Sequence, residues 1–253
     1  MQKHILKAYY GDIFFEFLLR DKASDAVFFL PGFPSSNKYD ELMWYLHDRG
    51  FHVFTIRYRG SYQSKGEFLE TDPVEDMLAF IQQIKKGTVV SLWDNKEFSF
   101  DIKRRILSAS SYGGAVAAGT IAQTAYFNKA IFFAPVWDFA EHNMTYDEQD
   151  LAHLTQFTKR AFKNCYRLNC ENIKMKIAEY PLMSKENYIN DIDIPVLVFH
   201  GSKDKTVRIE HTKAICQQNQ NIYLLEHSHG HGLKKELLED YKPKVEAFLK
   251  HKV

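Results

Sequence analysis

The chain has 253 residues, enough for one large α/β domain or two small ones, and its 45% hydrophobic and 26% charged content is ordinary for a soluble globular protein. A net charge of +1 excludes a basic nucleic-acid footprint and an electrostatic membrane anchor. No apolar run reaches the length of a membrane span, the N-terminal MQKHILKAYYGD has no apolar signal core, and the three cysteines, Cys165, Cys170 and Cys216, show no metal-like spacing. The expectation is a cytoplasmic protein with free thiols.

Short apolar runs alternate with longer amphipathic stretches, the pattern of a mostly parallel sheet covered by helices. Ile5–Tyr10 and Ile13–Leu19, joined by Gly11-Asp12, read as an antiparallel hairpin. Ala26–Leu30 is apolar throughout, as a strand buried on both faces must be, and ends at the loop PGFPSSN. A helix over Tyr39–Asp48 stops at Gly50. Then come the strand His52–Ile56, the loop RYRGSYQSKGEF and a helix from Asp72-Pro73 to about Lys86. Val89–Asp101, interrupted by Asp94-Asn95-Lys96, reads as an inserted hairpin. Further strands are predicted at Arg105–Ala109, Ala130–Ala134, Val196–His200 and Ile222–Glu226, with a small-residue helix after the first and an amphipathic helix over Lys234–Lys250. Trp137–Asn190 carries no strand signal and reads as a helical cap over the sheet's C-terminal edge, within a single domain.

The sharpest local signal is ASSYGG, Ala109–Gly114, at a strand-to-helix junction. A nucleophile on so tight a turn needs small residues two before and two after it, or side chains collide where strand and helix meet. Centred on Ser111 those residues are Ala109 and Gly113; centred on Ser110 the second would be the bulky Tyr112. Ser111 is therefore the candidate nucleophile. The competing reading is a helix start that merely packs closely on a strand.

With this elbow the chain resembles the α/β-hydrolase superfamily over most of its length, in particular its esterase, acylglycerol lipase and serine-aminopeptidase-like branch. The resemblance implies an α/β-hydrolase fold, with a mostly parallel central sheet of about eight strands, helices on both faces and the 137–190 cap. HGSKDKTV (His200–Val207) looks like the loop that carries the triad acid, placing Asp204 in the order Ser–Asp–His; Asp138 is the weaker alternative. HSHGHGL offers His227, His229 and His231. His231-Gly232-Leu233 looks like the family's step into the last helix, so His231 is the preferred base, His229 the alternative, and His227 belongs to the strand end. The resemblance places oxyanion-hole N–H groups on Phe33 and Tyr112. Pro31 replaces the family's histidine in that loop, and Ala109 its first elbow glycine. Arg57 and Arg59 are expected to hold their loop. No metal or organic cofactor is implied: the H-x-H-x-H run lacks a suitably spaced carboxylate or cysteine. Phe33, Tyr112, Trp137 and the cap aromatics suggest an apolar acyl or aryl substrate, with Trp137 as a substrate-binding residue. Hydrolysis of a small-molecule ester is the leading expectation, amide or peptide hydrolysis the second, and a non-catalytic binding scaffold the third.

Overall fold

The structure is a computed structural model and describes residues 4–139, 141, 144, 146–148 and 153–250. Eight strands form one sheet in the order β1 (Leu6–Tyr10), β2 (Ile13–Leu18), β4 (His52–Ile56), β3 (Ser24–Leu30), β7 (Ile102–Ser110), β8 (Lys129–Phe133), β9 (Val196–Gly201) and β10 (Ile222–His227). The pairs from β4 to β10 are parallel; β2 runs antiparallel to both β1 and β4. The remaining strands, β5 (Thr88–Val90) and β6 (Glu97–Ser99), are the expected inserted hairpin, turned at Asn95 with φ +55° and tied to β1 by Leu92 N–H donating to the Lys7 carbonyl (2.8 Å).

Burial on both faces explains the uninterrupted apolar runs. Alternate residues of each central strand enter different cores. Phe28, Leu107 and Phe132 pack beneath α2 (Pro73–Ile84) and α3 (Gly113–Gln123), whereas Val27, Phe29, Ile106 and Phe133 pack beneath α1 (Asp40–Asp48). Aromatic stacking pins each side: Phe28 on Phe54 at 4.9 Å and Phe133 on Phe199 at 5.4 Å, both pairs 8° from coplanar. Helix α2 starts where Asp72-Pro73 predicts, with the Asp72 carboxylate accepting the Val74 N–H (2.9 Å).

Among the described residues, the segment after β8 carries α4 (Leu154–Ala161), α5 (Ile173–Ala178) and four single 3₁₀ turns. Its backbone bridges Ser61 and Phe68 through Tyr166 and Leu168, and its 181–183 turn lies on α3. After α6 (Ile209–Gln218) and β10, the single helix expected over Lys234–Lys250 is two helices, α7 (Lys235–Asp240) and α8 (Lys242–Lys250). Pro243, which has no N–H to continue the ladder, sits just past the break at Tyr241. No helix of the described residues is long and apolar enough to cross a membrane, and the three cysteines are free.

Gly119 tests the seat of the 181–183 turn on α3. A Cβ there would lie 2.2 Å from the Leu182 carbonyl oxygen. Alanine in a helix interior ordinarily gains roughly 1 kcal/mol over glycine. Here overpacking should reverse the sign, so Gly119→Ala should lose about 1–3 kcal/mol in urea unfolding. A gain in stability would contradict this packing.

Candidate active site

The turn between β7 and α3 puts Ser111 at φ +52°, a conformation uncommon for a side chain with a Cβ. Hydrogen bonds over-determine it. Ser111 N–H donates to the Phe133 carbonyl (3.0 Å), and the Ser111 carbonyl accepts from Gly114 N–H (2.8 Å) and Val136 N–H (2.9 Å). The space around it admits only glycine at two further positions. A Cβ on Gly113 would stand 2.6 Å from the Leu30 carbonyl, and one on Gly114 2.3 Å from Pro135 Cβ. Ala109 is wholly buried at the other small position. The loop after β3 presses on the same point: a Cβ on Gly32 would come within 3.1 Å of Ser111 Cβ.

Ser111 shares a cavity of about 140 Å³ with Gly32, Phe33, Tyr39, His231 and Lys234. His231 Nδ1 lies 2.7 Å from Asp204 Oδ2, so the ring is tied to the carboxylate through one nitrogen. The acid loop follows β9 and the histidine loop follows β10, both at the same sheet end as the turn after β7. Among the described residues no hydrogen bond joins His231 to the Ser111 hydroxyl. Such bonds commonly close only when substrate fills the site. Neither Phe33 N–H nor Tyr112 N–H donates to a protein acceptor among the described residues, so both remain available beside the serine.

Asp204 is buried, and its second oxygen accepts the N–H groups of Thr206 (2.9 Å) and Val207 (3.0 Å). Burial alone would raise its pKa. The hydrogen bond and charge of His231, the Val207 N–H and nearby His200 together outweigh burial and hold the carboxyl below the usual aspartate range. His200 went unassigned in the sequence. Its Nε2 meets the Val207 carbonyl at 2.9 Å and Asp204 Oδ2 at 3.7 Å, and its Nδ1 meets Thr212 Oγ1 at 2.8 Å. A carbonyl only accepts, so Nε2 carries the proton and Nδ1 accepts the Thr212 hydroxyl. Burial lowers the His200 pKa and keeps the ring neutral.

The other expected residues fall elsewhere. Trp137 is buried, donates from Nε1 to Thr212 Oγ1 (2.9 Å) and does not line the cavity; the structure corrects its expected substrate contact to a core role behind His200. The side chain of Tyr112 is likewise fully buried, and only its backbone adjoins the serine. His229 is exposed and its ring is not bonded to Asp204; it lies 5.7 Å from the ring of His227, the last residue of β10. Asp138 accepts from Ser184 Oγ (3.3 Å) and Lys185 N–H (3.2 Å). Arg57 pairs with Glu16 (2.7 Å), and Arg59 with Asp76 (2.7 Å) and Asp12 (2.8 Å), which holds their loop as expected. Of the 137–190 segment, no described residue lines the cavity, but Tyr166 OH accepts Ser35 N–H (3.0 Å) and so braces the loop after β3. Among the described residues no group of three or more His, Cys, Asp or Glu side chains is set to hold a metal ion. Sequence spacing also missed Lys234, whose neighbour in the cavity wall, Tyr39, lies far away in the chain.

The depressed Asp204 pKa makes a pH prediction. A carboxyl whose folded pKa lies below its unfolded value stabilises the fold above the ordinary value of about 3.9 and loses that contribution as pH falls through the folded value. Asp204→Asn should therefore be less stable than the parent at neutral pH, and the gap should narrow below about pH 4. A gap that stays constant from neutral pH down to about 3 would contradict the assignment of the shift.

The fold is shared with solved structures of low identity. The esterase Pf2001 of Pyrococcus furiosus superposes with a TM-score of 0.64 at 17% identity, over 98% of this chain and 91% of that one. Est1E of Butyrivibrio proteoclasticus, with ferulic acid bound, gives 0.68 at 16% identity over 97% and 100%. The acylaminoacyl peptidase of Pyrococcus horikoshii gives 0.67 at 15% identity, over 99% of this chain but 42% of that longer one. No curated protein matches the sequence. The sequence model of the serine aminopeptidase S33 hydrolases matches residues 21–191, which takes in the loop after β3 and the Ser111 turn. The chain has the α/β-hydrolase fold and belongs to the serine aminopeptidase S33 family of hydrolases.

Proposed function

We propose that this hydrolase cleaves a short carboxylic ester through an acyl-enzyme. The observation that carries the reading is the meeting, in one small cavity, of a serine on a positive-φ turn with a histidine already bonded to a buried carboxylate. Ser111 Oγ attacks the ester carbonyl carbon as His231 Nε2 takes the hydroxyl proton. The carbonyl oxygen becomes an oxyanion received by Phe33 N–H and Tyr112 N–H. Collapse breaks the bond to the alcohol, which leaves with the proton from His231. Water then attacks the acyl-serine with His231 again as base, releasing the acid and restoring Ser111. Asp204 holds the ring orientation and offsets the imidazolium charge.

Two features favour an ester over the second reading, hydrolysis of amides or peptides. The cavity, about 140 Å³, suits a short acyl group. An aminopeptidase must also seat a cationic amino terminus, yet among the described residues no carboxylate lines the cavity. Phe33 and Phe133 supply its apolar wall, whereas Trp137 and the Tyr112 side chain, grouped with Phe33 in the sequence, are buried outside it. In this reading the whole chain is one hydrolase domain, and 137–190 is a cap that shapes the site by bracing the Ser35 loop.

Turnover of p-nitrophenyl acetate tests the assignment. Ser111→Ala and His231→Ala should each lose activity by several orders of magnitude, while Ser110→Ala and His229→Ala should cost about tenfold or less. Loss of turnover in Ser110→Ala with activity kept in Ser111→Ala would overturn the nucleophile. Loss in His229→Ala with activity kept in His231→Ala would transfer the role of base.

A further inference from the structure

The cavity around Ser111 contains a cation that the hydrolytic reading does not use. Lys234 lines it, and its Nζ lies between two other wall residues: it donates to the Gly232 carbonyl (3.1 Å) and stands 5.9 Å from the centre of the Tyr39 ring. The Gly232 carbonyl is the sole hydrogen-bond acceptor of this ammonium among the described residues. Glu236 is the nearby acid, and its carboxylate accepts the backbone N–H of Lys234 (3.3 Å) rather than the ammonium. Asp204, the other carboxylate of the site, is engaged with His231.

The Lys234 side chain is partly buried, and one carbonyl acceptor leaves two of the three ammonium donors without a protein partner among the described residues. Burial lowers the Lys234 pKa, and Glu236 offsets this only in part. An arriving anion would supply the missing partner, and a charge-assisted hydrogen bond is roughly twice as strong as one between neutral groups. Tyr39 OH and Ser35 Oγ, 2.5 Å apart in the same wall, add neutral hydroxyls that can accept or donate beside it. Burial raises the Tyr39 pKa, so its hydroxyl stays protonated and does not repel an anion.

We infer that Lys234 forms an anion subsite in the cavity, and that the substrate is a short ester carrying a carboxylate a few bonds from the carbonyl that Ser111 attacks. The inference rests on the ester-hydrolase reading for its substrate, but the anion subsite itself can be tested without turnover. A purely structural Lys234, holding the Gly232 carbonyl and so the histidine loop, would affect charged and neutral esters alike.

Two probes of equal acyl length, monoethyl glutarate and ethyl pentanoate, separate these roles in a pH-stat assay. The parent enzyme should favour the glutarate monoester by about tenfold or more in kcat/KM. Lys234→Met should collapse that ratio towards one, and Lys234→Arg should retain most of it. Binding of monoethyl glutarate to Ser111→Ala, followed by calorimetry, should weaken about tenfold when Lys234→Met is added and recover with Lys234→Arg. Equal losses on both esters, an unchanged ratio in Lys234→Met, or binding to Ser111→Ala that is absent or indifferent to Lys234 would overturn the subsite. Lys234-dependent binding without turnover of either ester would keep the subsite and overturn ester hydrolysis instead.

Discussion

The architecture of the site follows from crowding at one turn. At the end of β7 the chain reverses into α3 within a few residues, and the carbonyls of Leu30 and Pro31, the ring of Pro135 and the Gly32 loop all converge on it. Ser111 takes up the reversal at φ +52° because strand and helix are fixed on either side by the packing of two cores. That conformation costs of order 1–3 kcal/mol for a non-glycine residue, a cost the surrounding hydrogen bonds and cores must offset. The same crowding explains why Gly113 and Gly114 cannot carry side chains and why the loop bearing Phe33 reaches the serine.

Charge is arranged around this turn with equal economy. Asp204 stays ionised in a buried setting because backbone N–H groups and two imidazoles face it. Removing any one of them would leave the burial penalty less opposed. The neutral His200 is itself held by Thr212 and, behind that, by Trp137, so a chain of buried polar contacts runs from the core to the acid loop. Beside His231 the cavity holds Lys234, and among the described residues no carboxylate lines it. The proposed reaction develops negative charge on a carbonyl oxygen, and a cation close to that cavity suits both an anionic substrate and the anionic product acid.

Much of this was legible in the sequence because it depends on local pattern. Runs such as AVFFL and HVFTI mark strands buried on both faces, Asp72-Pro73 marks a helix start, and the small residues flanking Ser111 mark the elbow. Interactions between distant segments were not legible. Trp137 looks like a ligand-facing aromatic in one dimension, and only the fold shows it turned to Thr212. His200 and Lys234 sit in segments whose motifs draw attention to Asp204 and His231, and their roles depend on partners from other loops. The break between α7 and α8 was foreshadowed by Pro243, whose missing N–H weighs more than the amphipathic period running through it.

The central claim is that Ser111 is the nucleophile activated in this cavity. Reaction of the intact protein with a fluorophosphonate, followed by peptide mass spectrometry, tests it most directly, because the reagent marks only a serine made nucleophilic by its surroundings. The account predicts a single phosphonyl adduct on Ser111, formed far more slowly in Asp204→Asn. An adduct on Ser110 or another serine, or no adduct at all, would contradict it.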